Sequence, residues 1–471
     1  MEQFDVVLIN PFPGASGINE STILPPLGLA YIGAVLEQYK YSVKIIDNNI
    51  EQLNCEKILK LFQDTVKLVG IYVNSFSFDS CVELTSLIKK VYPAITIVLG
   101  GPLPSAQPKM VINHIPCDGV ICGEGEFAVL KMIQNIISNN DAFDSTVPGA
   151  VYYDSMGVLQ TNKTERILDL DVLPFPAYHL LPDFTKYRVR SRKRPSASIV
   201  TSRGCAHNCA FCSKEIFERK VTFRSAENVL KEIDFLVNNY GIRQIDILDD
   251  NFMQKQSRVE SILDGIINRK YKISINFQSG IRSENIDKAI LKKMKQAGVY
   301  KIAFGVESAD PKVLDNIHKR IDLDTMANAV QLAKQIGIEV YGFFIIGLPG
   351  ETEEGFQKTL DFAVTTGFDI ANFCMAVPFV GTELFNMVKK DGRFLIDTSR
   401  NIDNGFYSGK VFFEFRNMKE EEILIRYRRA YKEFYTPMKR LRIVFSIKSI
   451  HEIIWIWDSA KFVLKGMLKK I

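Results

Sequence analysis

Thr201-Ser-Arg-Gly-Cys-Ala-His-Asn-Cys-Ala-Phe-Cys-Ser213 is the stretch on which the fold and chemistry of this chain turn. It sets Cys205, Cys209 and Cys212 at C-x3-C-x2-C spacing among the loop formers Gly204, Asn208 and Ser213. Three thiolates on one tight loop suit an iron–sulfur cluster, and they are one fewer than the four that complete a [4Fe-4S] cubane. One iron is then open to another molecule, which means chemistry at the metal rather than electron storage alone. A zinc site completed by His207 competes with this reading, although structural zinc sites usually arrive as paired knuckles and no second pair follows. Three merely buried thiols are a further alternative, but a loop is a poor place to hide them. Cys55, Cys81, Cys117, Cys122 and Cys374 sit singly in apolar segments and read as packing residues.

Outward from that loop, strand and helix patterns alternate. Ser198 to Arg203, Gln244 to Asp250, Ile273 to Gln278, Lys301 to Glu307, Val340 to Gly347 and Ile370 to Val377 read as strands, with amphipathic helices between them. The series predicts a partial (β/α)6 barrel, a fold that gathers reactive groups at the C-terminal ends of its strands. The cysteines directly follow the first strand. The same edge carries Asp249-Asp250-Asn251, Gln278 with nearby Arg282, Glu307-Ser308, and Gly347-Leu-Pro-Gly-Glu351. Each also has an ordinary reading: Asp249 and Asp250 as helix caps, Glu307-Ser308 as a helix start, Gly347 with Pro349-Gly350 as a turn.

Residues 1–150 alternate in the same way. Asp5 to Asn10, Ser42 to Asp47, Leu68 to Asn74, Ile95 to Gly100 and Gly119 to Cys122 are short β-branched runs suited to a buried parallel sheet. An open, doubly wound (Rossmann-like) α/β sheet follows, with ligands expected outside the carboxyl ends of its strands. The loops there are Asn10 to Gly14, Asn74 to Phe78, Gly100-Gly101-Pro102 and Gly123-Glu124-Gly125-Glu126, and the glycines among them suit close approach of backbone to a large, flat or phosphorylated ligand.

Residues 151–195, proline-rich around Leu168 to Ala177, read as a linker; 196–392 hold the barrel, and 393–471 a helical C-terminal region with a basic tail. From Pro437 onward Lys439, Arg440, Arg442, Lys448, Lys461, Lys465, Lys469 and Lys470 outnumber Glu452 and Asp458, a local charge of +6. With Trp455, Trp457 and Phe462 among them, these residues fit either a peripheral membrane-surface helix or a helix packed on the barrel, where it could cover the substrate site. A net charge of +5 gives no case for nucleic acid, and 46% hydrophobic residues are ample for large cores. The start, Met1 to Ile9, lacks a basic n-region and cleavage site, so a cytoplasmic enzyme is expected.

The cysteine run, with Phe211 before its last cysteine, resembles the signature of the radical S-adenosylmethionine (SAM) enzymes. The resemblance implies that the amine and carboxylate of SAM chelate the open iron. By it, Asp249, Asp250 and Asn251 stand where the family backbone grips the SAM amino group, and Glu307 and Gln278 where the ribose or methionine end is held. Ile345 to Gly347 stand where adenine packs, and Arg282 suits the SAM carboxylate as a bidentate fork. Pro25-Pro-Leu-Gly-Leu-Ala30, Gly100-Gly101-Pro102 and Gly123-Glu124-Gly125-Glu126 look like the cobalamin-binding domain of one branch of that family. That branch holds the anaerobic magnesium-protoporphyrin ester cyclase and many class B carbon methyltransferases, and Pro378 to Leu384 matches another run typical of it.

No Asp-x-His-x-x-Gly follows the first strand, and Leu103 stands where many relatives have His, so cobalamin would bind without a histidine from this motif beneath cobalt. A domain that keeps the fold and has lost the cofactor is the alternative. The implied cofactors are a [4Fe-4S] cluster, SAM and cobalamin; the implied partners are a small-molecule or lipid substrate and an electron donor such as flavodoxin or ferredoxin. The implied chemistry is reductive cleavage of SAM to a 5′-deoxyadenosyl radical and methylation of an unactivated carbon. Cyclisation, rearrangement or oxidation with the same cofactors stays open, as does a non-catalytic cobalamin or iron–sulfur sensor.

Overall fold

The structure, a computed structural model, describes residues 3–12, 22–62, 65–139, 141–277, 279–396 and 410–457. Gln278 and residues 458–471, with Phe462 and the last four lysines, lie outside them.

The first apolar runs become β1 (Val6–Asn10), β2 (Val43–Asp47), β3 (Leu68–Tyr72), β4 (Thr96–Gly100) and β5 (Gly119–Ile121), parallel and ordered β2-β1-β3-β4-β5. Both faces are buried: Val7, Ile9, Val69, Ile71 and Ile97 pack on one side, and Leu8, Leu68 and Val98 on the other. Near-continuous apolar strands are what two covered faces require. Because β2 and β3 flank β1, the connections diverge there and a crevice opens beyond the ends of β1 and β3.

Residues 151–195 are not simply a linker. β6 (Ala150–Tyr153) and β7 (Leu159–Thr161) extend the first sheet as antiparallel strands. Three- and four-residue strands are too short to display an alternation in sequence, which is why they escaped notice. Single helical turns at Leu170–Val172, Tyr178–Leu180 and Phe184–Lys186 follow.

The second sheet consists of β8 (Ser196–Ile199), β11 (Gln244–Ile247), β12 (Ser274–Phe277), β13 (Val299–Glu307), β14 (Glu339–Ile346) and β15 (Ile370–Met375). They are all parallel and in chain order, with the tiny antiparallel pair β9 (Ser202–Arg203) and β10 (Thr222–Phe223) set apart from them. This is the expected open (β/α)6 barrel. Four of the intervening helices start where the sequence offers caps: Ser225, Asp287, Asp322 and Thr352 each accept a backbone N–H of the first turn. The core on one face of the first sheet is continuous with that of the barrel, so the two sheets form one packed body.

The region after 392 opens with another antiparallel pair, β16 (Gly392–Phe394) and β17 (Phe413–Phe415), before turning helical. Helix Glu420–Phe434 closes the exposed edge of β15: the hydroxyls of Tyr431 and Tyr435 donate to the carbonyls of Phe373 (3.1 Å) and Ala371 (2.7 Å). Beyond helix Pro437–Ser446, residues 450–457 are helical and bring Glu452 to Arg190 and Arg192 beside Glu339, the first residue of β14. That is the end of the barrel opposite the cysteines, so the described part of the tail does not cover the cysteine edge. No helix among the described residues is long and apolar enough to cross a membrane.

Candidate active site between the two sheets

The cysteine loop is an excursion from the barrel pinned at its base. β8 ends at Ile199 rather than at the expected Arg203 because the N–H of Thr201 goes to the Asp249 carboxylate (2.6 Å) instead of a strand neighbour. The hydroxyls of Thr201 and Ser202 bond the same carboxylate at 2.5 Å. β9 and β10 then close the excursion from 204 to 221. Gly204, with φ +85°, has no room for a side chain, since a Cβ would strike the Lys220 carbonyl. Asp250 accepts from the N–H of Gly204 (3.0 Å), and Gln254 grips both sides, accepting from the N–H of Ala206 and donating to the carbonyl of Gly204, each at 3.2 Å. Asp249 and Asp250 therefore hold the loop and are not helix caps, whereas Asn251 does cap the turn Phe252–Gln254.

Burial first, then the Asp250 carboxylate and the neighbouring Cys209, push the Cys212 thiol up to about 11, although the residue as a whole is exposed. Cys205 shifts in the same direction, again mainly through burial. A bound metal reverses this by taking the thiolate. Among the described residues no three His, Cys, Asp or Glu side chains converge on a single-ion site; a four-iron cluster spreads its thiolates over separate irons.

Around the barrel rim, Glu307 ends β13 after a register shift and adopts φ +66°, a costly conformation for a non-glycine residue that often marks a functional position. Its buried carboxylate pairs with Lys319 at 2.9 Å. The Arg282 fork, expected to await a SAM carboxylate, is engaged by Glu284, with Nε 3.0 Å from both oxygens. Ile345 lies beside Cys374 in the register of β14 and β15. Gly347, with φ +87°, donates its N–H to Glu351 (3.3 Å), and Glu351 pairs with Arg426 of helix Glu420–Phe434 at 3.0 Å.

Across from this rim stand the strand ends of the first sheet, and between them lies a cavity of about 550 Å³, inside the usual range of ligand pockets. Gly28, Gly100, Gly101, Pro102, Gly123 and Gly125 line one side; Ser202, Arg203, Phe217 and Asp250 line the other. A Cβ at Gly28 or Gly100 would meet no heavy atom within 4 Å, so both glycines front open space. The acids of Gly123-Glu124-Gly125-Glu126 line the cavity too and are paired as well. Arg203, two residues before the first cysteine, donates to Glu124 and Glu126 at 2.6 Å each, and Arg166 donates to Glu124 at 3.0 Å. No histidine lines the cavity among the described residues, and Leu103 is buried in the apolar core.

Residues 199–363 match the family model of the Radical SAM superfamily, and residues 18–132 that of the B12 binding domain. A Pyrococcus horikoshii protein, uncharacterized methyltransferase PH0819, is 30% identical over 459 residues, 96% of either chain. The chain belongs to the cobalamin-binding radical SAM enzymes. Cytidylyl-2-hydroxyethylphosphonate methyltransferase of Streptomyces wedmorensis is 28% identical over 82% of each chain. In fold, the chain is similar to the radical SAM methyltransferase TsrM of Kitasatospora setae (TM-score 0.70, 15% identity, 94% of this chain and 90% of that one). It is likewise similar to the cobalamin-dependent radical enzyme OxsB (TM-score 0.67, 21% identity), matching 83% of its own length but spanning only 55% of OxsB.

The family's cofactors are a [4Fe-4S] cluster, SAM and cobalamin, and the residues present fit them. Three thiols on one loop are the donor set for a cluster with an open iron, and open space in front of Gly28 and Gly100 leaves room for a broad ligand at the first sheet. Arg203, Arg166, Gln254 and Lys319 were invisible as site residues in the sequence. The only available signal was charge complementarity between Arg203 and the two glutamates.

Proposed function

We propose that the chain is a methyltransferase acting on an unactivated carbon, with Cys205, Cys209 and Cys212 as cluster ligands and the glycine edge of the first sheet as the cobalamin seat. The observation that carries this reading is that one cavity is lined by both the glycine edge and the base of the cysteine loop. When bound there, the reduced cluster and SAM supply the radical chemistry and cobalamin supplies the methyl group. The protein's part is placement. Asp249, Asp250 and Gln254 fix the loop that presents the thiols; Glu307, Asn251, Ile345 and Gly347 stand at the rim where SAM would lie. Gln278, proposed for the same rim, lies outside the described residues. Arg282 contributes by ordering Glu284 and the Arg320 carbonyl unless SAM displaces that pairing. Gly100, Gly101, Pro102, Gly123 and Gly125 receive cobalamin through backbone, while Glu124 and Glu126 hold Arg203.

A small-molecule substrate and an external reductant complete the reaction. The cyclase relatives, such as the anaerobic magnesium-protoporphyrin IX monomethyl ester cyclase of Rubrivivax gelatinosus at 26% identity, keep product identity as the decisive readout. The test is anaerobic reconstitution with cobalamin and methyl-deuterated SAM, followed by mass spectrometry of a host extract. Label in a carbon–methyl product supports methyl transfer; 5′-deoxyadenosine with an unlabelled isomer or oxidised product replaces it with the cyclase-type reaction. Cobalamin bound as cob(II)alamin with its dimethylbenzimidazole tail displaced is expected to show no nitrogen superhyperfine splitting in its electron paramagnetic resonance spectrum, because no histidine lines the cavity among the described residues to replace that base.

A further inference from the structure

Helix Pro437–Ser446 has no buried residue at all, which is unusual for a helix in a packed domain. Met438, Leu441, Val444 and Phe445 are all at least half exposed along it. The next helical stretch, 450–457, is inside out. Its acid, Glu452, is fully buried against Arg190 and Arg192, and the Trp455 ring lies 5.8 Å from the Arg190 guanidinium. Those contacts fix its rotation, so Ile450, Ile453, Ile454 and Trp457, at i, i+3, i+4 and i+7, form a stripe on the outside. Eight of the twenty large exposed apolar side chains among the described residues therefore fall within 438–457. Scattered exposed apolar residues need no explanation, but eight of them along two successive helical stretches mark an interaction surface.

The charges around this face choose its occupant. Arg440, Arg442 and Lys448 are exposed, and no acid in 437–457 is, since Glu452 is buried. Lys439 is turned inward, donating to the Phe368 carbonyl at 2.5 Å. A two-fold contact with a second copy would set this basic rim against itself. Apolar side chains on a segment whose exposed charges are all Arg and Lys match the interface of a bilayer with anionic headgroups. We propose that residues 437–457 dock the enzyme on an anionic membrane surface. The face lies at the end of the barrel opposite the cysteine loop, so docking leaves the cofactor cavity facing away from the lipid.

The test uses the full-length, anaerobically purified, cofactor-loaded enzyme with vesicles of phosphatidylglycerol and phosphatidylcholine. The enzyme is expected to sediment with anionic vesicles, to bind pure phosphatidylcholine several-fold less, and to release at about 0.5 M salt, where screening is nearly complete. Emission from the two tryptophans, Trp455 and Trp457, is expected to shift to the blue on binding. The double variant Phe445→Glu/Ile454→Glu is expected to lose binding by about tenfold or more while keeping 5′-deoxyadenosine formation, so the docking reading and the methyl-transfer reading fail separately. Three results overturn the proposal: intact enzyme that ignores anionic vesicles at low salt, a double variant that binds like the parent, or vesicle binding that emerges only after residues 458–471 are removed, which would make that segment the cover. A dimer that the double variant dissociates, without vesicle binding by the parent, assigns the face to self-association instead.

Discussion

The two strand-end edges that face each other across the cavity are made of opposite materials. The first sheet presents glycines with open space before them, Gly28 and Gly100 above all. The barrel presents carboxylates and amides, nearly all already engaged: Asp249 by Thr201 and Ser202, Asp250 by Gly204, Glu307 by Lys319, and Glu351 by Arg426. The glycine edge therefore offers backbone and volume to a ligand. On the barrel edge most side chains build the loops, and the thiols are the groups left to take a cofactor. Acids beside a motif are easily credited with ligand binding; here most are scaffold.

The sharpest break of this comparison is at the thiols. Cys205→Ala, Cys209→Ala and Cys212→Ala are each expected to abolish the roughly four irons per chain of a complete cluster, together with SAM cleavage. Cys374→Ala is expected to leave the iron content unchanged, because Cys374 belongs to β15 and not to that loop. Iron analysis and 5′-deoxyadenosine yield check both; any of the three variants that keeps its iron removes the cluster assignment.

Second in size is Arg203→Met. If Glu124 and Glu126 are scaffold, removing their guanidinium strands the buried Glu126 and leaves Glu124 to Arg166 and the Ile167 N–H, and stability falls by about 3 kcal/mol even without cobalamin. Arg203→Lys rescues only in part, since an ammonium cannot span both acids as the fork does. Anaerobic denaturant unfolding of protein without cobalamin measures this. An unchanged midpoint would return the two glutamates to the ligand.

The outlines of both sheets were legible because their strands are buried apolar runs, such as Leu68-Val-Gly-Ile-Tyr72 and Thr96-Ile-Val-Leu-Gly100, too short for helices and bounded by loop formers. The cysteines were legible because three thiols in one loop have few uses. Pairings across distance were not. Arg203 finds Glu124 and Glu126 at separations of 79 and 77 residues, and Tyr435 finds Ala371 at 64. Such contacts depend on how the two sheets stack, which no local period encodes. The inverted helix over 450–457 deceives for the same reason, because its apolar stripe reads as an inward face until Glu452 is seen buried.

A smaller effect separates the edges by pH. Burial pushes the Asp47 carboxyl, at the end of β2, up to about 6 from 3.8, against hydrogen bonds from Asn10 and Tyr187 that lower it. The folded chain thus holds this proton more tightly than the unfolded one. Its contribution to stability is fully present below about pH 4 and lost as pH rises through 6, a total of about 3 kcal/mol at most. Asp47→Asn, whose amide oxygen still accepts from Asn10 and whose amide nitrogen can donate to the Tyr187 hydroxyl, is expected to flatten the dependence of the midpoint between about pH 4 and 6. An equal slope in both proteins would place the proton elsewhere.

The finest test uses neighbouring glycines of the first edge. Gly101 has φ +118°, and a Cβ there would lie 2.8 Å from the Val73 carbonyl oxygen, so Gly101→Ala is expected to cost about 1–3 kcal/mol. Gly100 ends β4 without a positive φ, and its Cβ would project into the cavity without meeting any heavy atom within 4 Å. Gly100→Ala should leave stability unchanged or raise it by about 0.4–1 kcal/mol, by restricting the unfolded chain. If that space belongs to cobalamin, the same methyl group weakens cobalamin binding several-fold, so stability and affinity move in opposite directions at one residue. Paired unfolding and cobalamin titrations decide it: a Gly100→Ala protein that gains stability and binds cobalamin like the parent would show that this part of the glycine edge is not the cofactor's seat.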